Sequence, residues 1–82
     1  MVDVVFLARL GARNRVTAPV EVRWRFRLEA GRVYTVRTGR LFDREFHARL
    51  MKNGQFTVPS EVVAVEKLKR KNLLNVTLET EP

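Results

Sequence analysis

The chain has 82 residues and is 45% hydrophobic, which gives room for one small domain and is too apolar for a disordered segment. It contains no cysteine, which excludes disulfides and thiolate metal sites and fits a reducing compartment. Sixteen basic against nine acidic residues leave a net charge of +7, which points to a polyanionic partner.

The opening Met1-Val2-Asp3-Val4-Val5-Phe6-Leu7 has no basic leader, and its apolar run is too short for a signal peptide or a membrane span. A soluble cytoplasmic protein without membrane contact is therefore expected. Val4–Leu10 is rich in β-branched residues and ends in alternation, which predicts a strand. Gly11-Ala12-Arg13-Asn14 supplies turn residues, and Arg15–Ala18 returns as a short second strand, so the two are expected to form a hairpin.

Pro19 then fixes φ where a helix can begin. Residues 20–28 alternate as Val20, Val22, Trp24, Phe26 and Leu28 against Glu21, Arg23, Arg25 and Arg27, which taken alone is a strand pattern. A helix is nevertheless expected, because this stretch has a helical counterpart forty residues on. Gly31 suits a left-handed stop to that helix, and Val33–Thr38 has the composition of a third strand. Thr38-Gly39-Arg40 turns the chain into Leu41–Leu50, and Asn53-Gly54 is a strong hairpin dipeptide before the short run Gln55–Val58. Around and beyond Pro59, Val58, Val62, Val65 and Leu68 recur at helical spacing, with Glu61 in the first turn and Lys67, Lys69, Arg70 and Lys71 at the far end. Lys71-Asn72 stands where Gly31-Arg32 stood, Leu73–Leu78 reads as the last strand, and Glu79–Pro82 as a polar, frayed tail.

The chain is one unit written twice. Residues 6–37 laid over 46–77 without a gap share ten identities, among them Phe6/Phe46, Leu10/Leu50, Thr17/Thr57, Pro19/Pro59, Glu21/Glu61 and Leu28/Leu68. The order is β-β-α-β, repeated over 4–38 and 44–78. A half of about forty residues buries too little surface alone, so both copies are expected to share one core. Their charges differ. The first half, through Leu41, holds nine arginines against Asp3, Glu21 and Glu29, a balance of +6; the second holds seven basic and six acidic residues, a balance of +1.

The run Asn14-Arg15-Val16-Thr17-Ala18-Pro19 followed by Val20-Glu21-Val22-Arg23, with Phe26, Leu28 and Gly31 at matching intervals, resembles the AbrB / MazE / SpoVT family of DNA-binding proteins. Gly54-Gln55-Phe56-Thr57-Val58-Pro59 with Ser60-Glu61-Val62 repeats the resemblance. It departs from the family pattern at Lys71-Asn72 and at Arg32, where the family has Gly-Asp and Asp. The resemblance implies a mostly-β fold with two short helices: a six-stranded cradle-loop barrel, swapped-hairpin or RIFT-like, with its two ββαβ repeats related by a pseudo-twofold axis. It further implies a transcriptional regulator or antitoxin that grips the DNA backbone. Arg9, Arg13 and Arg15 match its hairpin contacts and Arg23 its helix contact, with Arg25 beside it; the second copy retains Arg49 and Lys52 but has Gln55 and Val63 where Arg15 and Arg23 stand. A homodimer and a monomer are both compatible with two units in one chain, as are the RIFT and double-psi closures. Charge does not separate DNA from RNA.

Each of these residues also has a duller reading. The arginines could be solvated surface, although the planar fork of Arg suits phosphate. Trp24 could stack on a base, but burial in the core or in a subunit contact is the commoner fate of a tryptophan. His47 stands alone, without a second metal ligand or a nucleophile to pair with, so a strand-face histidine is expected and neither metal, cofactor nor enzymatic activity. The alternative to DNA binding is a non-enzymatic protein-interaction barrel, favoured by the weak charge of the second half.

Overall fold

The computed structural model describes residues 2–39 and 44–80. In chain order it has β1 (Val2–Arg9), a 3-10 turn (Ala12–Asn14), β2 (Arg15–Thr17), α1 (Val20–Arg25) and β3 (Val33–Gly39). The same series then recurs as β4 (Arg44–Arg49), β5 (Gln55–Thr57), α2 (Ser60–Val65) and β6 (Leu73–Thr80). Among the described residues the result is a mostly-β fold with two short helices and six strands, arranged as an antiparallel sheet of order β1-β6-β3-β4 and a two-stranded ribbon of β2 and β5. No helix among the described residues is long and apolar enough to cross a membrane.

The strand registers repeat under a shift of forty residues. Arg9 faces Leu73 and Arg49 faces Val33, so each copy's first strand pairs with the other copy's last. In the ribbon Arg15 faces Thr57 and Thr17 faces Gln55; between the last strands Thr35 faces Glu79 and Gly39 faces Asn75. The two copies are therefore interleaved through the sheet.

Because side chains alternate along a strand, this register turns the even-numbered residues of all four sheet strands inward. Val4, Phe6, Tyr34, Val36, Ala48, Leu74, Val76 and Leu78 are buried there, and Val16, Ala18, Phe56 and Val58 of the ribbon segments join the same core. Val22, Phe26, Leu28 and Val62 close over it from the helical segments. Burial of so many branched and aromatic side chains, at about 1.5–3 kcal/mol each, is the main term holding the fold.

Two inward positions break the apolar rule. Thr38 donates its hydroxyl to the Asn75 carbonyl at 3.1 Å. Glu66, 2% exposed, meets Arg44 Nε at 3.4 Å. Forty residues before Glu66 and Arg44 stand Phe26 and Val4. The second copy thus has an ion pair where the first has two apolar side chains.

The helix expected over 20–28 forms, but it is shorter than anticipated and stops elsewhere. Arg27, at φ 51, turns left-handed, and Leu28 N–H reaches back to Arg23 O at 3.0 Å. The second copy repeats this with Lys67 at φ 52 and Leu68 N–H on Val63 O at 2.9 Å. The stop is thus made by two cationic residues, four positions ahead of Gly31 and Lys71. Gly31 and Lys71 are left-handed as well, but they serve the entry to β3 and β6, and Asn72 instead accepts Lys69 N–H on Oδ1 at 2.7 Å.

The expected hairpin of the first two strands does not form a ladder. Gly11 N–H reaches Arg15 O at 2.8 Å, but β1 pairs with β6 and β2 with β5. An eight-residue strand satisfies more backbone groups against a partner of equal length than against three residues. The supposed tail is also partly strand: Glu79 and Thr80 pair with Asp3 and Val2. The turn expected at Thr38-Gly39-Arg40 falls partly outside the described residues, and Gly39 itself belongs to β3.

Candidate nucleic-acid interface

The ribbon presents one apolar and one polar face. Val16 and Phe56 are buried beneath it, while Arg15, Thr17, Gln55 and Thr57 point the other way, with Gln55 Nε2 3.4 Å from Thr17 Oγ1. A turn is tied to each end. Asn14 O accepts Val58 N–H at 2.8 Å, and Gly54 O accepts Ala18 N–H at 2.9 Å. The first turn carries Arg13, held left-handed at φ 59, and the second carries Lys52. Arg13, Arg15 and Lys52 thus lie along one polar strip built from both copies, and among the described residues no hydrogen bond or ion pair of their side chains is present.

The other expected contacts are engaged in the fold. Arg23 Nε donates to Ala18 O at 3.1 Å and its guanidinium lies against Gly54, which is buried with φ +82. This contact ties the last turn of α1 to the turn that holds Lys52. Arg9 Nη1 donates to Lys71 O at 3.0 Å, and Arg49 Nη1 to Gly31 O at 3.1 Å, so each pins the other copy's left-handed connection to the end of its own strand. Arg25 is exposed, its guanidinium 5.7 Å from the centre of the Phe26 ring.

Arg49 also lines an open hollow of about 380 Å³ with His47, Met51 and Thr57, the last of these on the β5 strand of the ribbon. His47 is exposed on β4, with Nδ1 3.3 Å from Thr35 Oγ1. The identity of Arg9 with Arg49 in the two copies was the one signal of their shared structural role. The Arg23–Gly54 contact had no such signal, because its partners come from different copies and neither residue is repeated.

Trp24 corrects the expectation of core burial. It is 83% exposed on α1, because Val22 and Phe26 on either side of it turn toward the core. Val20, one turn earlier, is 53% exposed on the same helix.

No family model and no curated protein matches the chain. The fold does have a solved counterpart. The solution structure of PHS018 from Pyrococcus horikoshii superposes with a TM-score of 0.86 at 19% identity, over 96% of this chain and 92% of that one. At that identity the likeness speaks to the arrangement of the strands and helices alone.

Proposed function

We propose that this protein binds nucleic acid, as an AbrB-like transcriptional regulator or antitoxin that contacts the DNA backbone through the β2–β5 ribbon and its two turns. The observation that carries the reading is the strip of Arg13, Arg15 and Lys52, three cations on one polar surface that the fold does not use. Arg25 on α1 and Arg49 at the hollow extend it. Phosphate contacts of this kind position a protein on nucleic acid without reading sequence. Binding without catalysis, in the cytoplasm, completes the proposal.

The fold within this proposal is a six-stranded cradle-loop barrel. Its pseudo-twofold axis runs through the Val16–Phe56 and Arg37–Thr77 pairs, the midpoints of the two self-related ladders. Closure would come from the turns that join β1 to β2 and β4 to β5.

The test is an anisotropy titration with random duplex DNA at two salt concentrations. With about four phosphates neutralised, log K falls against log salt with a slope near −3.6. An Arg13→Glu, Arg15→Glu double variant should lose that binding; absence of duplex binding at low salt would refute the regulator reading. The second reading, a protein-interaction barrel, is favoured by Val5 and Leu7, 58% and 60% exposed side by side on the outer face of β1.

A further inference from the structure

The two copies provide an internal control for what the fold requires. α1 and α2 have the same length, the same preceding proline and the same left-handed stop. Yet where α1 reads Arg23-Trp24-Arg25, α2 reads Val63-Ala64-Val65. Alanine at position 64 shows that the backbone needs no large side chain there. A tryptophan left 83% exposed at the equivalent place therefore makes no contribution that the fold demands.

Its surroundings select a class of ligand. Arg25 and Arg27, both exposed, follow it in the chain, the first with its guanidinium 5.7 Å from the centre of the Phe26 ring, and Val20, one turn earlier, is 53% exposed. Glu21, also exposed, is the carboxylate of this helix. An exposed aromatic ring with exposed arginines next to it in the chain matches a flat, apolar base joined to a phosphate. A base offers its face only when it is out of the duplex stack.

We propose that Trp24 is a stacking platform for the unpaired bases of a single-stranded nucleic acid, with the exposed Arg25 and Arg27 serving its phosphates. The inference rests on the nucleic-acid reading above and narrows it to single strands at this end of the surface. Double-stranded polymer engages the ribbon strip and leaves Trp24 uncovered.

Trp24 is the chain's one tryptophan, so its own fluorescence reports the contact. The titrants are a thymidine homopolymer and a mixed-sequence duplex of equal length, each added to the wild type, Trp24→Phe and Trp24→Ala, with anisotropy of labelled polymer as the second readout. The fold tolerates alanine here, as Ala64 shows, and circular dichroism verifies it. The single strand should quench Trp24 saturably, Trp24→Ala should weaken its binding by about five- to a hundredfold, and Trp24→Phe should restore most of it. Duplex affinity should be unchanged by either substitution. Single-strand binding that is indifferent to Trp24→Ala overturns the inference while leaving the ribbon reading intact. Failure of both polymers to bind at low salt overturns both, and would leave Trp24 to a protein partner.

Discussion

The Arg44–Glu66 pair offers a test of how the two copies are built, because the first copy supplies the apolar replacement. Replacing Arg44 with valine, the residue at position 4, takes a cation away from a carboxylate whose side chain is 1% exposed. A hydrogen bond between charged groups is worth about 1.5–3 kcal/mol, and the 42% exposure of Arg44 places the expected loss near the middle, about 2 kcal/mol. Glu66→Phe alone leaves Arg44 able to turn to water and should cost at most about 1 kcal/mol. The double variant Arg44→Val, Glu66→Phe rebuilds the Val4 and Phe26 arrangement and should return to within about 1 kcal/mol of the wild type. Urea unfolding followed by circular dichroism measures each corner of the cycle. With a slope of about 1 kcal/mol per molar, the Arg44→Val midpoint should fall by about 2 M. A cycle with no coupling between the two changes, or a double variant worse than the sum of the singles, would show that the copies do not hold these positions in equivalent environments.

Other consequences of the geometry are open to the same assay. Gly54→Ala forces a side chain onto a left-handed residue and into the Arg23 guanidinium, so it should lose about 2 kcal/mol, whereas Asn14→Gly at the equivalent turn should change stability by less than about 1 kcal/mol. Lys67→Gly relieves a left-handed lysine and should raise stability by about 0.5–1 kcal/mol; a loss would mean that the lysine side chain does more than end the helix. Arg9→Ala and Arg49→Ala each remove one hydrogen bond to a connection carbonyl and should cost similar amounts, about 0.5–1 kcal/mol. A marked inequality between them in urea midpoint would argue against equivalent clamping roles. If Arg9→Ala also abolished duplex binding without loss of stability, its guanidinium would have to be counted with those of Arg25 and Arg49 among the phosphate contacts.

Much of this protein could be read from the order of its residues. Ten identities at a constant offset of forty announced two copies of one β-β-α-β unit, and the second copy's clear helical spacing overrode the strand-like alternation of Val20, Val22, Trp24, Phe26 and Leu28. The helix at α1 forms because its environment, the core beneath Val22 and Phe26, is common to both copies, and local propensity is the weaker influence. The basic strip was also visible as a list of cations, since charge is a property of composition.

Pairing partners and side-chain tasks were settled only in three dimensions. Adjacent strands that resembled hairpins were drawn apart because β1 and β6, or β3 and β4, satisfy more backbone groups together than β1 could with the three residues of β2. That exchange joins residues distant along the chain, as when Arg9 reaches the Lys71 carbonyl, Arg23 settles on Gly54, and Arg44 meets Glu66. None of these meetings leaves a local pattern, because each depends on the register between copies. The same register decides which arginines hold the fold and which remain at the surface, and Trp24 points outward because Val22 and Phe26 of the same segment take the core side.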